Sequence, residues 1–384
     1  MEDFDAFVGL DVHKESVSVA IAGAGRTGEV LALKPIPNTV EAVNRMVHRL
    51  GSKYGRLLYA QEAGPCGYSL HRQLERLGES SCVVAPSRIP KQSGDRIKND
   101  TRDAMILARL SRAGELAPIW VPDGTHEAMR DVVRARQAAS IDVRKARQRI
   151  QSFLLKHARR YGRKSWGGQH RAWLANQSFD HPAQQIAYAS YLRAEGQAVD
   201  RRSELDSQIK ELAPSWSLYP LVEALQALRG VAFTIAVSVV AEIGDMSRFT
   251  SARHLMAYLG LVPGERSSGS TVRPRGITKS GNRFVRSLLL ESAWCYRLRA
   301  NLGESLRRRS EGLPQIAKDV AWKAQVRLWT LSSLDREREK EPASDDRNRT
   351  RAGRVYMGYR SAHQANAIND RQTCAIEFEY GHLR

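Results

Sequence analysis

The sequence is poor in cysteine, in acidic residues relative to basic ones and in long apolar runs, and each shortage removes a class of protein. Its four cysteines, Cys66, Cys82, Cys295 and Cys374, are scattered through 384 residues. None forms a C-x-x-C pair, so neither a disulfide framework nor a cysteine zinc site is expected, and a reducing cytoplasm suits the chain. The longest apolar run, Val231 to Ile243, falls short of the roughly 20 residues a spanning helix needs. The start, Met1-Glu2-Asp3-Phe4-Asp5, is acidic, where a secretory leader would be basic and then apolar. No membrane partner is expected. Asp and Glu total 41 against 60 Lys and Arg, a formal net charge of +19. An excess of that size points to a polyanion, and nucleic acid is the one a soluble basic protein meets most often. Each neutralised phosphate releases condensed counterions and adds affinity whatever the base sequence.

The first third reads as alternating strands and helices. Phe7 to His13 and the alternating Ser16 to Ile21 suggest one strand, or a strand with a bend. Gly23-Ala24-Gly25 then turns the chain into a second strand near Val30 to Leu33. A helix pattern over Thr39 to Leu50 precedes a strand from Arg56 to Ala60 that ends at Gln61-Glu62-Ala63-Gly64. A helix from Tyr68 to Leu77, a strand from Cys82 to Ala85 and a helix opening near Asp100 complete the order ββαβαβα. That order predicts an α/β domain with a mixed sheet, its strand ends gathering residues along one rim.

Beyond Met129 the period changes. Met129, Val132, Arg136, Ala139, Val143, Ala146, Ile150, Phe153 and His157 recur at spacings of three and four, as in a long amphipathic helix with an imperfect heptad seam. Between His126 and Ser165 there are 12 Lys and Arg against 3 acids. A charge run on a helix is often only a solvated face, but one sign prevails here, and phosphate contacts are expected from Arg134, Arg144, Lys145, Arg147, Arg149 and Lys156. A second helix, Ala183 to Leu212, is expected to return antiparallel through Leu205, Ile209 and Leu212. The loop from Gly162 to Pro182 would then form the tip, with Trp166 and Trp173 either stacking on bases or packing. Leu228-Arg229-Gly230-Val231-Ala232 resembles the turn of a helix-hairpin-helix, with Ala232 where the second glycine usually stands. From Asp335 the composition is that of a poorly ordered charged tail.

Four acids carry the chemistry. Asp11 interrupts an apolar strand, Glu62 ends another, and Asp100 and Asp103 share one face at the start of a helix. Each acid alone has a structural reading, as an N-cap, a first-turn acid or a turn residue. Asp11 is the hardest to explain that way, because a carboxylate between Val8, Leu10 and Val12 is costly to bury without a cation or partner. Acids gathered at strand ends can hold divalent cations, and two such ions about 4 Å apart stabilise both the attacking and leaving oxygens of a phosphodiester.

Gly9-Leu10-Asp11-Val12-His13-Lys14, Glu62 with Gly67-Tyr68, and Lys98-Asn99-Asp100-Thr101-Arg102-Asp103-Ala104 resemble the four-acid signature of insertion-sequence family one hundred and ten. Asn99 stands where members usually carry threonine. Ala257-Tyr258-Leu259-Gly260-Leu261-Val262-Pro263, Ser268-Gly269, and Arg273, Gly276, Ile277, Lys279, Gly281, Asn282 and Arg286 are similar to that family's C-terminal transposase domain. The two halves cover most of the chain. On its residues alone, the loop with Ser267, Ser268 and Ser270 amid Arg273, Arg275, Lys279 and Arg286 either grips a phosphate or attacks it. Arginine forks would bind the phosphate oxygens and offset charge growing in the transition state. No G-x-S-x-G elbow is present.

The resemblance implies an RNase H/RuvC-like α/β domain over 1–118, a basic helical coiled-coil stalk over 119–213, a mainly α-helical transposase domain over 214–334, and the tail over 335–384. It further implies that Asp11, Glu62, Asp100 and Asp103 hold Mg2+, with Mn2+ as the alternative ion, and that Ser268 is the nucleophile. The partners it implies are DNA (the element ends and the target), a structured guide RNA in some members, and further copies of the chain in a dimer or tetramer.

Overall fold

Strand β1 (Ala6–Val12) alternates Ala6, Val8 and Leu10 with Phe7, Gly9 and Asp11, and the period of two sends the sets to opposite faces. The chain then reverses into antiparallel β2 (Ser16–Gly23), with Ala6 opposite Gly23 and Val12 opposite Val17. Where the sequence suggested one strand, or a strand with a bend, the structure has two. The intervening His13-Lys14-Glu15 contains neither glycine nor proline, so nothing local announced a reversal. Hydrogen bonds make it instead: His13 N donates to the Ser16 carbonyl at 2.9 Å, and Asn38 Nδ2 donates to the His13 carbonyl at 2.8 Å.

Short strands β3 (Val30–Ala32) and β4 (Ile36–Pro37) pair with β2. Helix α1 (Val40–Tyr54) is capped by Thr39, whose hydroxyl accepts from Ala42 N. Strand β5 (Leu57–Glu62) runs parallel to β1 with Leu10 opposite Gln61. Helix α2 (Ser69–Arg76) leads to β6 (Ser80–Val84), parallel to β5, so the sheet order is β3-β2-β1-β5-β6. Val8, Leu10, Leu57 and Tyr59 meet Val43, Met46 and Leu50 of α1 and Leu70 and Leu74 of α2 in one core. Helix α3 (Asp100–Arg112) covers the other face through Ala104 and Ala108 against Ala20 and Ala22. Gly9 lets it lie there: a Cβ at that position would fall 2.0 Å from the Ala104 carbonyl oxygen and 2.5 Å from Ala108 N.

The structure is a computed structural model, and it describes residues 4–25, 28–90, 99–265 and 274–340. The chain divides into two compact units, Met1–Pro122 and Asp123–Arg384. In the second, α4 (Gly124–Lys156) starts from Asp123, whose carboxylate accepts from His126 N at 2.7 Å. The expected tip loop contains a helix, α5 (Gly168–Ala175), and α6 (Pro182–Leu212) returns along α4. The two are antiparallel: Ile209 near the end of α6 packs with Met129 and Val133 near the start of α4, whereas Tyr188 packs with Ile150 and Leu154 at the far end. Leu212, expected in that contact, is exposed. Trp166 and Trp173 pack against the tip core, and the Arg147 guanidinium lies 4.6 Å from the Trp166 ring centre.

Helices α7 (Tyr219–Leu225), α8 (Phe233–Ile243) and α9 (Ala252–Tyr258) follow, then the antiparallel hairpin β7 (Pro263–Glu265) and β8 (Pro274–Ile277). Helices α10 (Arg283–Ala293), α11 (Glu304–Ser310) and α12 (Gln315–Lys340) complete the unit. Met129 and Val133 of α4 share a core with Val237 and Val240 of α8 and Val285 of α10, so α4 and the helices after Pro214 pack together within this unit. The tail expected from Asp335 begins as the end of α12, its Arg, Glu and Lys being good helix formers. No helix among the described residues is long and apolar enough to cross a membrane, and Cys66, Cys82 and Cys295 are free thiols.

Candidate metal centre and nucleic-acid interface

Asp11 leaves β1 two residues after Gly9, on the face that α3 covers, and close packing at Gly9 brings the first turn of α3 towards it. Asn99 caps that helix by accepting from Thr101 N at 3.0 Å, which leaves Asp100 and Asp103 as first-turn acids. Glu62 ends β5 beside β1. Leu57 and Tyr59 belong to the α1/α2 core, so alternation sends Glu62 to the α3 face with Asp11. The structure brings Asp11 and Asp100 together, with Asp103 on the same first turn of α3 and Glu62 at the carboxyl end of the strand beside β1.

Two of them are joined by His13, a residue of the Gly9–Lys14 motif for which the sequence suggested no role. His13 Nε2 stands 3.2 Å from Asp11 Oδ2 and 3.3 Å from Asp100 Oδ2, and the ligand atoms of the three side chains lie within 4.8 Å of one another. Glu62 and Asp103 stand outside this close group. The signal for His13 was available, since positions i and i+2 of an extended segment share a face. Burial holds the Asp11 carboxyl above its ordinary value; His13 pulls it down in part, while Asp100 and Asp103 push it up further. The donor chemistry fits a divalent cation: carboxylate oxygens predominate, one imidazole joins them, and their mutual repulsion is what a bound cation relieves.

The basic residues separate into two groups. Arg144, Lys145, Arg149 and Lys156 are exposed along α4, and Lys279 is exposed in a left-handed conformation at φ 57°. Three expected phosphate contacts are instead engaged within the protein. Arg134 donates Nε and Nη2 to Glu242 at 2.7 and 3.0 Å, and Arg147 Nε donates to Glu195 at 2.8 Å. Arg286 is 7% exposed and donates to the Leu259 and Ser280 carbonyls at 2.7 and 2.8 Å. Glu242 and Glu195 are buried, and a buried carboxylate without its cation is costly, so Arg134 and Arg147 are drawn to them, although the Arg134 side chain remains 57% exposed. Arg275 lies in β8, whereas Ser268 and Arg273 lie outside the described residues.

The turn that follows β8 is held by packing and hydrogen bonds. Asn282 caps α10 by accepting from Phe284 N and Val285 N at 2.9 and 3.1 Å, and its amide donates to Glu242 at 2.6 Å. Gly281 has φ 72°, and a Cβ there would fall 1.9 Å from the Tyr258 carbonyl oxygen. The turn resembling a helix-hairpin-helix is packed inward, since Arg229 donates to the Leu298 and Arg299 carbonyls and a Cβ on Gly230 would fall 2.7 Å from the Ser292 carbonyl oxygen.

A mixed α/β unit with acids at its strand ends, followed by a basic helical unit, defines a class that comparison with known proteins makes specific. Residues 222–309 match the model of the transposase IS116/IS110/IS902 family, and residues 8–158 match a second transposase model, of the IS110 DEDD type. The chain is 46% identical over 325 residues to transposase y4qE of Sinorhizobium fredii, covering 84% of this chain and 80% of that one. It is 29% identical over 328 residues to the transposase for insertion sequence element IS1533 of Leptospira borgpetersenii, covering 84% and 94%. T. thermophilus RuvC in complex with a Holliday junction substrate aligns with 30% of this chain and 99% of its own at 11% identity, with a TM-score of 0.22, too low to bear on the fold. The chain belongs to the IS110 family of insertion-sequence transposases.

Proposed function

We propose that this transposase cuts and rejoins DNA through a serine-linked intermediate supported by its acidic centre. The observation that carries the reading is the closeness of Asp11 and Asp100, both within 3.3 Å of His13, in a member of this family. Asp11, Glu62, Asp100 and Asp103 would hold Mg2+ or Mn2+, which when bound supplies positive charge for the oxygens of the scissile phosphate.

The Ser268 hydroxyl oxygen forms a bond to phosphorus as the bond to one DNA oxygen breaks. One strand end becomes serine-linked and the other leaves as a free hydroxyl, its oxygen taking up the proton. A hydroxyl end from a second DNA then attacks the phosphoserine, which restores the phosphodiester and the serine. Because two phosphodiesters are exchanged for two, no external energy source is needed. Exchange of both partners requires two active sites, hence at least two copies of the chain. Exposed Arg144, Lys145, Arg149 and Lys156 offer phosphate contacts, to DNA or to an RNA encoded by the element.

The test is covalent capture on denaturing gels with donor DNA, Mg2+ and flanking-region RNA. A protein–DNA adduct is expected for the wild type and not for Ser268→Ala or Asp11→Ala. Cleavage without an adduct, unchanged in Ser268→Ala, would replace this reading with a nuclease that uses water. Binding with no cleavage in any metal would reduce the chain to a nucleic-acid-binding protein. Guidance by RNA fails if the purified protein binds no RNA from its element and recombines without it.

A further inference from the structure

Among the described residues, the one close group of metal-ligating side chains includes a nitrogen donor as well as carboxylates. His13 is held in place by its backbone. Its N–H donates to the Ser16 carbonyl at 2.9 Å, its own carbonyl accepts from Asn38 Nδ2 at 2.8 Å, and Asn38 N donates to the Glu15 carbonyl at 3.1 Å. The reversal between β1 and β2 is thereby pinned from a third segment, next to the point where Ser16 of β2 pairs with Pro37 of β4. A hairpin end fixed this way presents the imidazole on the side where Asp11 emerges, and Nε2 faces both carboxylates.

The spacing suits shared coordination. Adjacent donor atoms on a six-coordinate cation with bonds of about 2.1 Å stand about 3 Å apart, and Nε2 lies 3.2 and 3.3 Å from the two carboxylate oxygens. The side chain of Asp11 is 16% exposed and those of His13 and Asp100 are 44% and 54%. The site thus has a half-dry floor and an open outer side through which an ion and a phosphate can enter.

We propose that His13 is a metal ligand, and that its nitrogen makes the site prefer Mn2+ over Mg2+. The inference rests on the metal-binding reading of the acids and adds a ligand and a selectivity to it. Magnesium favours all-oxygen surroundings and sheds water reluctantly, whereas imidazole suits transition-metal ions, so replacing one oxygen or water donor by nitrogen raises Mn2+ affinity relative to Mg2+. The opposite role for the same geometry is an internal cation: a charged His13 would occupy the space between the carboxylates and compete with any ion. The two roles predict opposite responses to removing the ring.

The probe is Mn2+ itself, bound to the full-length protein without nucleic acid and followed by calorimetry and pulsed electron paramagnetic resonance. The wild type is expected to show nitrogen modulation from a directly bound imidazole, altered by ¹⁵N-histidine labelling and absent in His13→Ala. His13→Ala is expected to weaken Mn2+ binding by roughly tenfold or more, on the scale of losing a ligand-shell interaction, and to change Mg2+ binding far less. Mn2+ bound without nitrogen modulation, or Mn2+ binding in His13→Ala that is unchanged or tighter, would overturn the proposal while leaving the acidic site intact. Asp11→Asn and Asp100→Asn serve as the separate arm: if both bind Mn2+ as the wild type does, the acids are not the metal site and the underlying reading falls with the proposal. The wild-type spectrum decides the question even if a variant fails to fold.

Discussion

Replacing Gly9 with alanine adds one methyl group at a point where there is no room for it. The new Cβ would stand 2.0 Å from the Ala104 carbonyl oxygen, 2.5 Å from Ala108 N and 3.0 Å from Leu107 Cβ. Non-bonded heavy atoms need about 3.5 Å, and two of the obstructing atoms are helix backbone, which no rotamer change can move. Helix α3 must therefore retreat from β1 by about 1 Å or more. Overpacking of this kind costs about 1–3 kcal/mol and occasionally more; a clash with rigid backbone belongs at the upper end. For a unit of this size about 3 kcal/mol lowers the melting temperature by roughly 10 °C. The same retreat carries Asp100 and Asp103 away from Asp11, and a misplacement of about 1 Å at reacting groups can cost on the order of a hundredfold in rate. The assay is thermal unfolding together with the yield of protein–DNA adduct, measured well below the melting temperature so that folding and chemistry are separated. If Gly9→Ala melts with the wild type and forms adduct at the wild-type rate, the account of how α3 is seated, and of how the acids converge, is wrong.

Glu242→Ala removes the buried partner of Arg134 and of the Asn282 amide; because the Arg134 side chain is 57% exposed and can be resolvated, about 1–2 kcal/mol of lost stability is expected, read as a lower denaturation midpoint. Burial pushes the Glu242 carboxyl up, but Arg134, Asn282 and Arg130 outweigh it and leave it below the ordinary glutamate value. Its contribution is therefore whole above the unfolded value near about 4.3 and is lost as pH falls through the folded one. His126 is held below its ordinary value by burial and then by Arg130. The stability it contributes as a neutral ring is present above about pH 6.5 and declines as pH falls towards the folded value; melting curves between pH 8 and pH 5 should show the decline, and His126→Gln should flatten it. Changing Arg144, Lys145, Arg149 and Lys156 together to glutamine should weaken DNA binding and make its salt dependence shallower by about 0.9 for each phosphate no longer neutralised. Unchanged binding and slope would move the interface elsewhere. Arg286→Ala, by contrast, should lower the melting temperature, because it leaves the Leu259 and Ser280 carbonyls without their donor.

Much of the molecule is written in local pattern. The alternation of β1, the helical period of α4 and the caps Thr39, Asn99 and Asp123 are short-range properties, so the mixed α/β opening and the helical remainder could be read directly from the residues. Residue type singled out Asp11, a carboxylate in an apolar strand, whereas Glu62, Asp100 and Asp103 each had an ordinary local reading and joined it through the motif resemblance. The tertiary structure decided which charges are free to act. Arg134, Arg147 and Arg286 look no different in sequence from Arg144 or Arg149, and only the position of Glu242, Glu195 and two backbone carbonyls, 27 to 108 residues away or as near as six, gives them partners within the protein. The reversal at His13 and the ring's place between Asp11 and Asp100 depend on Asn38 and on a helix that begins far along the chain. Local periodicity fixes which face a side chain takes; what it meets there is set by segments distant in sequence.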